Sequence, residues 1–367
     1  MATFSNEWEY LIHLLSSALR NEKPGEKPDN ISFEQLFSLA RYHSVANMAF
    51  YSIERLENRP EKELFAKWTE VRDKEIMKDI IQSTEQEQLF SALSASGVRF
   101  IPLKGSVLKT LYPQSDFRTM SDIDLYIDDA DTEKSKAVML SLGYEINRLE
   151  HGVHDVYYKK PVMNVEIHRD LFGEGGQEFS PVFSELWSKC TADGMRYDLE
   201  NDFFLTYVIA HGIKHYTLGG TGIRTFMDIH VYLQQKGADL NRIYSLCEKA
   251  GQRELCEDFV KLADVWFGSG EYTDKLREMA EYVIRGGTYG TFENQMEQGI
   301  KKQGKLKFIL SRIFPSVNYA REQFPVLRRM PFLLPVFWVV RWFKFFTVNR
   351  KENAAKIKAL TKKGTDR

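Results

Sequence analysis

IPLKGSVLKTLYPQSDFRTMSDIDL, residues 101–125, ends in an alternation of acidic and apolar residues, Asp122-Ile123-Asp124-Leu125. The spacing predicts a strand over 120–127, with Asp122 and Asp124 on one face and Ile123 and Leu125 on the other. Two carboxylates so placed on a buried strand repel each other unless a cation lies between them. Hard divalent ions that take oxygen ligands and bridge to phosphate suit them, Mg²⁺ first and Mn²⁺ as the alternative. Upstream, Val98–Leu103 reads as a short apolar strand and Ser106–Leu111 as a helix, joined through Lys104-Gly105. A strand, Gly-Ser, helix turn offers backbone N–H groups and a hydroxyl to a phosphate. An acidic pair alone reads better as strand-end solvation and capping. The pair beside this turn, with Arg118 in the loop between them, points to metal and phosphate.

This order of residues resembles the DNA polymerase β-like nucleotidyltransferase superfamily, whose signature is a Gly-Ser turn, then Asp-x-Asp, then a later third carboxylate. It is more closely similar to the bacterial uncharacterised nucleotidyltransferase family, which carries Lys-Gly, Arg and Asp-Ile-Asp-Leu in this order. Here these are Lys104-Gly105, Arg118 and Asp122–Leu125. The fifteen residues from Val107 to Ser121 exceed the spacing the superfamily pattern usually allows, though the closer family tolerates it. The resemblance implies a metal-dependent transfer of a nucleoside monophosphate from an NTP, with ATP the expected donor, onto a hydroxyl acceptor. Two Mg²⁺ ions would be held by Asp122, Asp124 and the third carboxylate. Gly105 and Ser106 would hold the β,γ-phosphates, with Lys104 and Arg118 adding positive charge. A non-catalytic nucleotide-binding module of antitoxin-like, regulatory type is the alternative on the same fold.

The third carboxylate is sought in VMNVEIHRDL, residues 162–171, where Glu166 and His168 share one strand face. By the resemblance this position is acidic with a histidine two residues on, which assigns it to Glu166. Asp155 and Asp170 are rivals, and Asp170 has the same parity as Glu166. His168 is open between contacting substrate, orienting Glu166 and a purely structural role. Further on, HGIKH (211–215) and GIRTFMD (222–228) match a H-x-x-K-H and G-x-R-x-x-x-D pattern of the resembled family. That likeness implies that Lys214, His215 and Arg224 face the cleft and contact the triphosphate or the acceptor. A guanidinium suits a phosphate bidentately. Read without it, Arg224 and Asp228 form an intrahelical pair, and His211 and His215 pack in a helix seam or sit at zinc-ligand spacing.

At 367 residues, 43% apolar and 28% charged, the chain is long enough for two or three globular units. A net charge of −1 gives no overall attraction to nucleic acid, which is therefore not the expected partner. Cys190, Cys247 and Cys256 form no disulfide or zinc pattern, which fits a reducing cytoplasm. The N-terminal residues lack the basic-then-apolar order of a secretion signal. The longest apolar run, PFLLPVFWVV (331–340), is too short and too proline-rich to span a bilayer.

The expected class is α+β: a small mixed sheet with helices on one face, flanked by helical regions. Residues 1–96 read as helical, with helices at 7–19, 33–42, 45–56 and 61–95. Ser32 is the expected cap of the second, and Arg41, His43 and Ser44 are turn residues. The nucleotidyltransferase core is expected over 97–172, with a helix at 128–142 and strands at 144–149, 154–159 and 164–168. GEGGQEFS (173–180) reads as a flexible boundary loop to a C-terminal helical domain over 173–318. Within that domain, 286–304 reads as only partly ordered. Residues 319–367 form an aromatic and then basic segment. It either packs back on the protein or, through 331–350, rests on an anionic membrane.

Overall fold

The computed structural model describes residues 6–149, 154–172, 176–315, 317, 320, 324 and 326–347. Four helices precede the first strand: α1 (Glu7–Leu19), α2 (Phe33–Tyr42), α3 (Ala46–Ile53) and α4 (Lys62–Ala95). Ser32 caps α2, its hydroxyl accepting from the Gln35 N–H at 3.3 Å. α4 runs 34 residues and reaches two cores. Leu64 and Trp68 are buried with α1–α3, whereas Leu89 and Leu93 are buried against the sheet. One rod thus fixes the N-terminal helices relative to the strands.

The sheet contains β1 (Phe100–Pro102), β2 (Ile123–Ile127), β3 (Glu145–Leu149), β4 (His154–Lys159), β5 (Met163–His168), β6 (Cys190–Asp193) and β7 (Arg196–Leu199). Their order is β3-β4-β5-β2-β1-β7-β6. β2 lies near the centre, antiparallel to β1 and parallel to β5. β6 and β7 had gone unread. Their signal is Gly194, the first of the two residues that join paired Asp193 and Arg196, at φ +60 as a type II′ turn requires. Between β1 and β2 run α5 (Gly105–Leu108) and two 3₁₀ turns, Lys109–Leu111 and Ser115–Phe117. α6 (Thr132–Ser141) follows β2 after a 3₁₀ turn that Asp128 caps.

Ile123, Leu125, Val165 and Ile167 are buried together with Leu89, Leu93, Val138 and Met139 under α4 and α6. Burying each aliphatic side chain is worth about 1.5–3 kcal/mol. A one-residue slip would turn this whole set to the other face, so packing fixes the register. The same register sends Asp124, Tyr126, Glu166 and His168 to the opposite face.

The C-terminal helices are α7 (Asn201–Thr217), α8 (Gly222–Lys236), α9 (Leu240–Lys249), α10 (Arg253–Phe267), α11 (Asp274–Gly286), α12 (Phe292–Gln303) and α13 (Lys305–Ile313). The stretch 286–304, expected to be partly ordered, contains α12. Thr291 caps it, its hydroxyl accepting from the Asn294 N–H. Two short pieces, α14 (Val326–Arg329) and α15 (Leu334–Thr347), end the described chain. Residues 173–175 of the expected boundary loop and 348–367 of the C-terminal segment lie outside the described residues.

Candidate active site

The parallel pairing of β2 with β5 sets Asp124 directly opposite Glu166 and Tyr126 opposite His168. Asp124, Glu166 and His168 each offer one ligand atom, all within 4.8 Å of one another. Two carboxylates and an imidazole at that separation suit a divalent cation. Asp122 precedes β2 and stands outside this trio, although its charge and that of Asp124 both act on Glu166. Asp124 is 2% exposed. Its Oδ1 accepts from Lys104 Nζ at 2.8 Å and from His168 Nε2 at 2.8 Å. As a metal ligand through that nitrogen, His168 would have to release this hydrogen bond.

The carboxyls are held at different protonation tendencies. Burial and then the charge of Asp124 push Asp122 upward. Burial followed by Asp124 and Asp122 pushes Glu166 upward as well. Burial alone would raise Asp124, but Lys104 and His168 outweigh it and hold it well below the usual carboxylate range. Like charges crowded in a site shielded from water create the need that a cation would meet.

Lys104, between β1 and α5, has φ +44 and ψ −119, a conformation unusual for a side-chain-bearing residue. Gly105 follows, packed closely against the Met120 and Arg118 side chains. A Cβ there would meet Met120 Sδ at 2.5 Å and Arg118 Nη1 at 2.8 Å. Ser106 is 4% exposed, and its Oγ has no hydrogen-bond partner. A buried hydroxyl without a partner is uncommon and calls for a ligand or an ion.

Arg118 is committed within the protein. Its Nε and Nη2 donate to Asp228 at 3.1 and 3.0 Å, and the Tyr112 hydroxyl donates to the same carboxylate at 2.8 Å. Asp228 therefore pairs with Arg118, not with Arg224 four residues earlier. Arg224 Nη1 donates instead to the Thr119 carbonyl at 2.9 Å and to its hydroxyl at 3.1 Å. Burial and then the charge of Arg118 lower Arg224, and Asp122 is among the charges acting on it.

α7 contributes to the polar face of the sheet. His215 Nε2 lies 3.1 Å from His211 Nε2, and Lys214 Nζ donates to the Phe172 carbonyl just beyond β5. Burial and then the charge of Lys104 drive His211 far below its ordinary value and His215 to about 4. The neutral imidazole is the form that binds zinc, but among the described residues no third ligand joins these two. Among the described residues the one His/Cys/Asp/Glu group of metal-binding geometry is Asp124, Glu166 and His168.

The family model described as an uncharacterised nucleotidyltransferase matches residues 29–268. The chain belongs to that family. No curated protein and no solved structure matches it. The match covers the stretch from α2 to the end of α10, which contains every candidate side chain named above. In this nucleotidyltransferase chain one rival acid, Asp155, is otherwise engaged, whereas the charge of the other, Asp170, acts on Lys214 and Tyr126. Asp155 sits opposite Ile167, on the apolar face, and accepts from Arg169 at 2.7 Å. Asp170 accepts from the Phe172 N–H at 3.1 Å. The sequence reading missed Tyr207, which lies close enough for the charges of Lys104, Asp124 and Asp122 to act on it. The signal was present: 207, 211, 214 and 215 follow helical spacing on one face of α7.

Proposed function

We propose that this nucleotidyltransferase moves a nucleoside monophosphate from an NTP, with ATP the expected donor, to the hydroxyl of an acceptor molecule. The observation that carries the reading is the Asp124–Glu166 register beside a Gly105-Ser106 turn whose buried hydroxyl lacks a partner. Asp122, Asp124 and Glu166 would hold Mg²⁺; Asp124 and Glu166 already form one group with His168, which Asp122, just ahead of β2, would have to join. When bound, the ion neutralises phosphate charge and lowers the pKa of an attacking hydroxyl. The protein's own part is positioning and electrostatics. Ser106 Oγ donates to a phosphate oxygen, Gly105 allows close approach, and Lys104, Lys214, His215 and Arg224 supply cations and donors along the polyphosphate. Arg118 acts from behind, holding Asp228 and the loop that carries Thr119.

Asp122→Asn and Asp124→Asn should each lower transfer of a labelled nucleotide by roughly 10³-fold or more, since each removes metal-holding charge worth several kcal/mol. The circular dichroism spectrum should stay unchanged. Retained transfer in either variant would remove the proposal.

One observation favours the non-catalytic, antitoxin-like alternative. Lys104 already neutralises Asp124, as a site that binds nucleotide without turnover would permit. A divalent-dependent thermal shift with ATP and no pyrophosphate release with any acceptor would select it.

A further inference from the structure

We propose that a cavity between α2, α3 and the first half of α4 is the acceptor subsite, and that it takes a small hydroxylated anion of the sugar-phosphate kind. The inference rests on the nucleotidyl-transfer reading of the neighbouring carboxylates. The cavity measures about 310 Å³, and Phe37, Arg41, Ser44, Lys67, Lys74 and Thr119 are among its lining residues. That volume is at the small end of sites that enclose a small molecule.

Thr119 joins this cavity to the candidate active site. Arg224 donates to its carbonyl and hydroxyl from the α8 side, and the Thr119 hydroxyl donates to the Ser44 carbonyl at 3.5 Å on the cavity side. Thr119 precedes Asp122 by three residues, so their Cα atoms are at most about 11 Å apart. The acceptor's hydroxyl would have to cover that span to meet the carboxylates.

Charge selects the ligand class. Lys74 is paired with Glu70 at 2.5 Å. Arg41 and Lys67 have no carboxylate within salt-bridge distance among the described residues, and Arg41 lies 5.9 Å from the Phe37 ring centroid. Glu70 and Glu75 line the cavity too, so three cations face two carboxylates there, and the one positive charge in excess favours an anionic group. In the reaction the acceptor oxygen forms a bond to the α-phosphorus of the NTP. The bridging bond from that phosphorus to the β-phosphate oxygen breaks, pyrophosphate leaves, and the hydroxyl proton passes to solvent.

Isothermal titration of the full chain, with Mg²⁺ and a nonhydrolysable ATP analogue present, tests this with glucose 6-phosphate, glucuronate and uncharged glucose as probes. Glucose 6-phosphate should bind, glucuronate bind more weakly and glucose not measurably. Arg41→Ala and Lys67→Ala should each weaken glucose 6-phosphate by about tenfold, the worth of one charge-assisted contact, and leave the analogue's affinity unchanged. Both side chains are exposed, so both variants should fold. Failure of glucose 6-phosphate to bind, or binding that both variants retain, overturns the inference. So does a loss that falls on the ATP analogue instead, because the cavity would then belong to the triphosphate. The analogue's own affinity is read in the same titrations, so a failure of the nucleotide reading appears in that arm alone.

Discussion

Arg118 and Asp228 lie 110 positions apart, yet they form a two-bonded charged contact beside the candidate site. Both are buried, and Tyr112 and Arg224 add further polar groups around the same carboxylate. Removing one partner of a buried pair leaves the other charge uncompensated, at a cost of about 3–5 kcal/mol. Asp228→Ala should therefore lower stability in urea by that amount, whereas an exposed pair such as Lys23–Glu57 should cost little. His43 gives a second prediction. It is fully buried, its Nε2 donating to the Ile284 carbonyl at 3.1 Å while its Nδ1 accepts from the Ile223 N–H at 3.3 Å. That pattern holds the ring neutral, and burial brings it down from 6.5 to about 4. Between those values the unfolded chain binds the extra proton and the folded chain does not, so stability falls as pH drops through the window. The loss reaches about 3 kcal/mol at its lower end. Urea midpoints at pH 7 and pH 4.5 should separate by more in the wild type than in His43→Gln. At this scale the acidic alternation of β2 was open to reading, because period two is written in the residues themselves. The partner of Arg118 was not, because a contact across 110 residues leaves no local spacing, and the nearer Arg224–Asp228 spacing suggested the wrong pair.

α4 illustrates what an element adds to its residues. Its apolar positions serve two different cores, so its overall pattern is weakly amphipathic although each half buries a definite face. Length and helix type were legible; the division of labour was not, since it depends on what packs against each half. Leu89 is completely buried beneath the strands, opposite the face that carries Asp124 and Glu166. Leu89→Ala should cost about 2–5 kcal/mol, the price of a core cavity. If this layer fixes the register of β2 and β5, the variant should also lose transfer activity under conditions where it remains folded. Unchanged activity in the folded variant would show that the strands hold the acidic side chains without support from α4. The β6–β7 hairpin makes the complementary point. β6 is largely exposed and so lacks the apolar alternation by which a strand is recognised, and only its turn glycine carried a signal.

At the scale of the molecule, the aromatic C-terminal segment has two faces. Trp338 and Trp342 turn inward: their indole N–H groups donate to the Pro315 and Ile313 carbonyls, and their rings pack on Phe314. Phe332, Val336, Val339 and Phe343 remain outside, at 72%, 56%, 59% and 71% exposure. The spacing of 336, 339 and 343 places them on one side of α15. Leu306 and Leu310 add exposed apolar surface on α13, among the exposed Lys301, Lys302, Lys305 and Lys307. No described helix is long and apolar enough to cross a membrane, so any lipid contact of these helices lies along a surface. Apolar side chains flanked by lysines fit an anionic bilayer, where each lysine near the surface contributes about 1 kcal/mol and salt weakens the attraction. The full chain should therefore sediment with vesicles containing acidic lipid, more weakly at high salt, and hardly at all with neutral vesicles. Replacing Val336 and Phe343 together by aspartate should abolish sedimentation and leave nucleotide binding intact, because neither side chain is buried in the protein. Equal sedimentation of wild type and the double variant would mean that lysine charge alone draws the chain to lipid and the outer face of α15 takes no part.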